Sequence, residues 1–264
     1  MLTMETRFDS LPSRLREVST EVVIGDVPCL LVRGSEKPRP FLFWMHGRTA
    51  DKELDPGRYL RYVRRGINVC AVDLPGHGAR YIESMQEASR SLEVILMMTA
   101  EMDGVLEGLE QYNGFDLSNA AIGGMSAGGI AAIERLCKPH LFKVAVLEAT
   151  SGDFWPMRDA PLCKGLSDEA FRKSNPIEKL DGWKSIPIIA FHSRHDQWIP
   201  FKAQESFMRA LKARSEHPQD IEFVTFDRTG APNEHIGFGR ESAFVKEVQV
   251  EFVAKHLNMN METT

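Results

Sequence analysis

The amino-acid sequence predicts an α/β protein in which helices cover both faces of a mostly parallel central sheet of about eight strands. Two observations carry this prediction. Short, continuous apolar runs alternate with longer segments in which apolar residues recur at helical spacing. Glycine, proline, asparagine and aspartate separate these segments, as is typical of turns between strands and helices.

The first part of the chain is predicted to contain a hairpin, a buried strand and a helix. Val18–Ile24 and Pro28–Arg33 flank a Gly-Asp turn, which predicts an antiparallel hairpin. Pro40–Met45 is a continuous apolar run and therefore a buried strand. Asp55–Arg65 has amphipathic spacing and ends at Gly66, so we expect a short helix there.

The same alternation continues to the end of the chain. Ile67–Val72 is the next predicted strand, and a long helix from about Met85 to Tyr112 is closed by an Asn-Gly pair. The later predicted strands are Ala120–Gly123, Lys143–Leu147, Pro187–His192 and Ile221–Phe226, and the later predicted helices begin after Gly128 and span Phe201–Arg214 and Ser242–Leu257.

One segment lacks the strand pattern. Residues 151–185 contain tryptophan, proline, phenylalanine and short helical pieces only. We therefore predict a single domain over residues 1–264 with a small cap insertion at 151–185. An insertion of about 35 residues is too short for a full helical lid, which favours an open, shallow site.

Composition excludes several functional classes. The net charge is −5 and no basic stripe is present, so we expect no nucleic-acid partner. The N-terminal residues do not resemble a signal peptide and no apolar run is long enough for a membrane span, so we expect a cytoplasmic protein. We expect no metal and no cofactor, and a second copy of the chain is a candidate partner. The cysteines lack metal-binding or disulfide spacing and are predicted to be free thiols: Cys29, Cys70, Cys137 and Cys163.

The sequence Gly124-Met125-Ser126-Ala127-Gly128 joins a predicted strand to a predicted helix. In this context Gly-x-Ser-x-Gly predicts a sharp turn that exposes the Ser126 hydroxyl, because side chains at the glycine positions would collide with the neighbouring strand and helix. The helix N-terminus behind the serine favours developing negative charge. Ser126 is the candidate nucleophile. The alternative is a small-residue turn that only packs tightly.

A serine hydroxyl needs an imidazole base, which in turn needs a group that orients it. These groups must lie on loops at the carboxyl ends of later strands, where Ser126 also lies. Asp196 follows one such strand and His235 follows the last one. We predict Asp196 as the acid, with Asp227 as its rival. We predict His235 as the base, with a role in capping the last helix as the alternative.

Two backbone N–H groups are needed to stabilise the oxyanion of an acyl-transfer reaction. Ala127 follows the nucleophile and is one candidate. Arg48, after Gly47 in the loop that follows Pro40–Met45, is the other, with Thr49 as its alternative. For the Arg48 side chain we favour a salt bridge to a neighbouring aspartate, Asp51 or Asp55. A contact to a substrate carboxylate is the second interpretation.

Substrate-binding residues are predicted from the apolar content of the cap insertion. Phe154 and Trp155 are the main candidates for an acyl pocket, with Met157 and Phe171 as further members. Trp198, two residues after Asp196, is predicted to form the rim. Ordinary packing of the insertion is the alternative for each.

The chain resembles the α/β-hydrolase superfamily, and within it the dienelactone-hydrolase-like and prolyl-oligopeptidase-like esterases. The resemblance covers nearly the whole chain from about Val18. Members usually carry His-Gly-x-x-Asp at the acid, so Ser193 departs from the usual glycine while Asp196 stays in register. The motifs that carry the resemblance are HGRT at His46–Thr49, DLPGHG at Asp73–Gly78, GMSAG at Gly124–Gly128, HSRHDQWIP at His192–Pro200 and NEHIGF at Asn233–Phe238.

The resemblance implies an α/β-hydrolase fold and a Ser-His-Asp hydrolase that uses no cofactor. We expect hydrolysis of carboxylic esters with small to medium acyl groups through an acyl-enzyme. A thioesterase, acyltransferase or peptidase-like activity on the same residues is the alternative among enzymes. The alternative that is not an enzyme is a ligand-binding receptor, which would keep the fold without turning over a substrate.

Overall fold

The computed structural model describes residues 7–257, which form one eight-stranded sheet covered by helices. The strands lie side by side in the order β1-β2-β4-β3-β5-β6-β7-β8. In chain order they are β1 (Ser19–Ile24), β2 (Val27–Val32), β3 (Arg39–Met45), β4 (Asn68–Val72), β5 (Phe115–Met125), β6 (Val144–Glu148), β7 (Ile188–Ser193) and β8 (Ile221–Phe226).

The sheet is antiparallel at one edge and parallel elsewhere. Strand β1 pairs with β2, and β2 with β4, in antiparallel register. All remaining neighbours are parallel, so the carboxyl ends of β3, β5, β6, β7 and β8 meet at one edge. The predicted fold class and the opening hairpin are therefore confirmed.

Helices cover both faces of the sheet, and alternate strand residues point to each. In β3, Phe41 and Phe43 face one apolar core, whereas Leu42 and Trp44 face the other. The first core contains residues of α3, α4 and α6, and the second contains residues of α1, α2 and α7. The helices are α1 (Ser13–Arg16), α2 (Pro56–Arg64), α3 (Ser91–Leu109), α4 (Ala127–Leu136), α5 (Asp168–Ser174), α6 (Phe201–Arg214) and α7 (Ser242–His256).

Several predicted boundaries were wrong, and the largest differences are at the starts of α3 and β5. Helix α3 begins at Ser91 rather than Met85, because the Gln86 amide and the Ile82 N–H both bind Gly76 O and hold the preceding residues in short 3-10 turns. Strand β5 begins at Phe115 rather than Ala120, although its first half is polar. Asp55 caps α2 instead of belonging to it, because its side chain accepts the Arg58 N–H.

The segment between β6 and β7 contains no strand, as predicted, and its longest helix is α5. Of the helices within residues 7–257, none is long and apolar enough to cross a membrane.

Candidate active site

Ser126 lies between β5 and α4 with φ 51° and ψ −118°, a strained conformation for a residue with a side chain. The flanking glycines permit this turn. A Cβ atom at Gly124 would lie 2.4 Å from the backbone carbon of Gly128. A Cβ atom at Gly128 would lie 2.4 Å from the carbonyl oxygens of Met45 and His46. The two collisions predicted from the sequence are thus present, one with α4 and one with the end of β3.

The structure brings Ser126, His235 and Asp196 into one hydrogen-bonded chain. The Ser126 hydroxyl donates to His235 Nε2 over 3.0 Å. The Nδ1–H group of His235 donates to Asp196 Oδ2 over 2.7 Å. The side chains of His235 and Asp196 are almost completely buried. This geometry allows the imidazole to accept the serine proton while the carboxylate balances the resulting charge.

The second oxygen of Asp196 fixes the orientation of the carboxylate. Asp196 Oδ1 accepts the backbone N–H groups of Trp198 and Ile199, both over 2.8 Å. The rival acid, Asp227, has a largely exposed side chain that lies 3.4 Å from the ring of His195. Asp196 and not Asp227 therefore contacts His235.

The His192 side chain contacts the loop that carries Asp196. Its Nε2–H group donates to Ile199 O over 2.9 Å and lies 3.5 Å from Asp196 Oδ2. Burial lowers the pKa of His192, so the neutral ring is favoured. His235 is the histidine that contacts the Ser126 hydroxyl, whereas His192 contacts the backbone of the acid loop.

Glu234 joins the loop that carries His235 to the loop that carries Asp196, a contact that no sequence motif indicated. Its carboxylate accepts the Ser193 hydroxyl over 2.8 Å, the Thr229 N–H over 2.7 Å and the Gly230 N–H over 2.9 Å. Asn233 and Glu234 both have positive φ, which these bonds help to maintain. Ser193, which departs from the glycine usual in the resembled families, is therefore one of the donors that hold Glu234.

The loop after β3 lies directly against the nucleophile. A Cβ atom at Gly47 would be 3.5 Å from Ser126 Cβ, so the backbone at residues 47 and 48 closely approaches the serine. Ala127 is the first residue of α4, and the N–H groups of a first helical turn have no partner within the helix. The Ala127 N–H directly follows Ser126, and the loop that carries Arg48 lies against the serine at Gly47. The role of the two N–H groups as oxyanion donors stays a prediction.

The prediction of a salt bridge for Arg48 was wrong. Asp51 Oδ2 instead lies 3.0 Å from Arg7 Nη1, and Asp55 Oδ2 lies 3.1 Å from Arg58 Nη2. The Arg48 Nη2 group donates to Met85 O over 2.9 Å. Both carboxylates are thus neutralised by other cations, and the second interpretation of Arg48 stays open.

Two cavities adjoin Ser126. The α4-side cavity, of about 440 Å³, has largely apolar walls that include Ile95, Ile130, Met157 and Leu162. The α7-side cavity, of about 290 Å³, is bounded by His235 and by residues of α2 and α7. Trp198 and Arg48 line both.

Not all predicted pocket residues reach these cavities. Trp198 does, with its ring centroid 4.7 Å from that of His235. Phe154 is fully buried in the core, and the Trp155 indole N–H donates to Glu178 over 2.7 Å. Neither lines a cavity beside Ser126, because core packing and this hydrogen bond hold them away. Ile95 and Ile130 were missed, since helical spacing does not distinguish a cavity wall from a core face.

Within residues 7–257, no group of three or more histidine, cysteine, aspartate or glutamate side chains is arranged to hold a metal ion. The chemistry visible at this edge of the sheet is that of the serine, the imidazole and the carboxylate.

The fold and the comparisons together define a serine hydrolase of the α/β-hydrolase superfamily. Residues 59–260 match the prolyl oligopeptidase family, which is most of the chain, and the protein belongs to that family.

Individual relatives are distant. Esterase YjfP of Escherichia coli (strain K12) is 21% identical over 213 residues, which are 75% of this chain and 84% of that protein. The crystal structure of TT1662 from Thermus thermophilus has a TM-score of 0.72 at 21% identity and covers 91% of this chain and 98% of its own. The acylaminoacyl peptidase of Pyrococcus horikoshii has a TM-score of 0.67 at 16% identity and covers 93% of this chain but 42% of its own. These structural likenesses show the fold.

Proposed function

We propose that this serine hydrolase cleaves carboxylic esters of small to medium acyl groups through an acyl-enzyme on Ser126. The observation that carries the proposal is the hydrogen-bonded chain from Ser126 Oγ through His235 to Asp196, which ends at two cavities. A buried carboxylate behind the imidazole and an open space before the hydroxyl are what acyl transfer requires.

In the first half-reaction, Ser126 Oγ forms a bond to the ester carbonyl carbon while its proton moves to His235 Nε2. The N–H groups of Ala127 and Arg48 stabilise the oxyanion. When the tetrahedral intermediate collapses, the bond between carbon and the alcohol oxygen breaks. The proton on Nε2 passes to that oxygen and the alcohol leaves. Asp196 stays ionised throughout and stabilises the imidazolium.

In the second half-reaction, water replaces the alcohol. Its proton moves to His235 Nε2 as its oxygen forms a bond to the acyl carbon. Collapse then breaks the bond to Ser126 Oγ, which recovers the proton, and the carboxylic acid is released.

The size and apolar character of the α4-side cavity support a small to medium acyl group. A cavity of about 440 Å³ lies within the range of small-molecule sites, and its walls offer few polar partners. The distant relative Esterase YjfP is named as an esterase, which supports the choice of ester substrates.

A second candidate is cleavage of peptide-like amides, which uses the same residues. It is favoured by membership of the prolyl oligopeptidase family and by the similarity to the acylaminoacyl peptidase. Thioester hydrolysis and acyl transfer are further variants of the same chemistry.

A substrate panel tests the proposal. We expect hydrolysis of p-nitrophenyl esters with acyl chains of two to about eight carbons, a decline at longer chains, and slower cleavage of matched acyl-CoA thioesters and p-nitroanilides. The Ser126→Ala variant serves as the control for non-enzymatic hydrolysis. Faster cleavage of the anilides than of the esters would favour a peptidase. Faster cleavage of the acyl-CoA thioesters than of the esters would favour a thioesterase. No turnover of any member of the panel would favour the ligand-binding receptor.

A further inference from the structure

The Arg48 guanidinium occupies an unusual position for a cation. It is half-buried, it lines the cavities beside Ser126, and its Nη1 atom is buried without a hydrogen-bond partner in the described part of the chain. Within residues 7–257 no carboxylate forms an ion pair with it. Desolvation lowers the pKa of Arg48, with no opposing contribution from a nearby acid.

Leaving a partly buried cation with unsatisfied donors costs free energy. The neutral Met85 carbonyl satisfies one donor group but supplies no countercharge. Other cations in or beside this loop have acidic partners, as Lys52 does in Asp73 and Arg7 does in Asp51. Among residues 7–257, Arg48 is left without a countercharge.

Arg48 lines both cavities, and its guanidinium is held by the Met85 carbonyl. Gln86, the residue after Met85, lines the α4-side cavity, so we assign the guanidinium to the anion-binding role in that cavity. The α4-side cavity thus combines apolar walls, an unpaired cation and the nucleophile Ser126.

We propose that Arg48 binds a carboxylate at the far end of the acyl chain, so that the preferred substrates are monoesters of short dicarboxylic acids. The apolar walls contact the methylene groups, and the guanidinium, whose Nη2 group also donates to Met85 O, offers its remaining N–H groups to the carboxylate oxygens. This inference rests on the proposed ester hydrolysis at Ser126 and specifies its substrate class.

A matched pair of substrates tests it. Mono-(p-nitrophenyl) adipate and p-nitrophenyl hexanoate have the same acyl length and differ in whether a carboxylate or a methyl group ends the chain. We expect the ratio of their kcat/KM values, adipate over hexanoate, to fall by about 10- to 100-fold in Arg48→Met, the range expected for hydrogen bonds to a charged group. Arg48→Lys, which keeps the charge without the fork, should give an intermediate ratio.

Arg7→Met is the matched control, because it removes a cation of the same region that already has a carboxylate partner. We expect this variant to keep the wild-type ratio. In a Ser126→Ala background, monomethyl adipate should bind more tightly than dimethyl adipate by calorimetry, and adding Arg48→Met should abolish the difference. This second readout does not depend on turnover.

Three results would overturn the inference. An equal ratio in the wild type and in Arg48→Met, with hexanoate still hydrolysed, removes the role of Arg48 and leaves the proposed function intact. The second such result is a wild type that prefers 4-acetoxybenzoate to phenyl acetate while showing no preference for the adipate ester over the hexanoate ester. In that case Arg48 binds a carboxylate on the leaving group and not on the acyl chain. Failure of the wild type to hydrolyse either chain, together with no reaction of Ser126 with a fluorophosphonate, removes the proposed function as well.

Discussion

Two buried polar clusters lie side by side at the carboxyl edge of the sheet, and they differ in whether their hydrogen bonds end inside the protein or at a reactive hydroxyl. One is named the catalytic cluster after its proposed role and contains Ser126, His235 and Asp196. The other is the ion-pair cluster, in which Arg58 Nη1 and Nη2 lie 2.7 and 2.9 Å from the two oxygens of Glu148. Ser126 N–H donates to Glu148 O over 2.8 Å, so the clusters are in contact.

The ion-pair cluster is closed by further contacts. The Gln249 amide N–H donates to Glu148 Oε1 over 3.0 Å, and the Arg58 guanidinium lies 3.9 Å from the ring centroid of Trp44. In the catalytic cluster, by contrast, the chain of hydrogen bonds ends at a hydroxyl that faces open space. Groups of both clusters line the α7-side cavity, so burial, charge and contact with a cavity do not by themselves identify a catalytic group. The charges of the ion-pair cluster are bound to each other, whereas the Ser126 hydroxyl is available to a substrate.

The largest expected effect is on turnover, from removing the base. His235→Ala leaves Ser126 without a proton acceptor, so we expect kcat to fall by about 10⁴-fold or more. The free energy of unfolding should change far less than in the ion-pair variants below. Steady-state kinetics and denaturant unfolding, with Ser126→Ala as the parallel variant, separate the two quantities. Near-normal turnover would show that another group is the base.

The next effect is on stability, from breaking the ion pair. Arg58→Met leaves the Glu148 carboxylate buried with only the Gln249 amide as a partner, so we expect the free energy of unfolding to fall by about 3–5 kcal/mol. The double variant Arg58→Met/Glu148→Leu removes both charges and should recover much of this loss. Urea titration checks both. A double variant less stable than Arg58→Met would contradict the view of this cluster as a closed ion pair.

A smaller effect is expected at Glu234, which joins the acid and base loops. Desolvation alone would raise its pKa, but hydrogen bonds from Thr229, Gly230 and Ser193 outweigh it and lower the pKa to about 2. Because the folded pKa lies below the ordinary value, this stabilisation is present above about pH 4.5 and is lost as the pH falls toward 2. The side chain is partly exposed, so solvent screening keeps the gain modest.

We therefore expect the Tm of Glu234→Gln to decline less steeply than that of the wild type between pH 5 and 3, and its kcat at pH 8 to fall by about 10-fold through misplacement of His235. Thermal unfolding at a series of pH values measures the Tm profile, and steady-state kinetics at pH 8 measure kcat. Ser193→Gly, which removes one donor, should change both in the same direction but less. Identical pH profiles for the wild type and Glu234→Gln would show that the carboxylate does not hold the loops.

The catalytic cluster was predictable from sequence. In a parallel sheet the loops after β5, β7 and β8 meet at one edge, and these loops carry Ser126, Asp196 and His235 in that order. The ion-pair cluster was not, since Arg58 and Glu148 are 90 positions apart and carry no motif. The walls of the α4-side cavity were predicted only in part. Met157 and Trp198 were predicted and line it, whereas Ile95 and Ile130 were missed, because apolar residues of a core face and of a cavity wall have the same spacing in the sequence.

The proposed function requires Ser126 to be a nucleophile that is activated by His235. Reaction with a fluorophosphonate, followed by intact mass and peptide mapping, tests it most directly. We expect one adduct per chain, located on Ser126, with labelling slowed by orders of magnitude in His235→Ala and absent in Ser126→Ala. A folded wild-type protein that stays unlabelled, or that is labelled at another residue, would contradict the account.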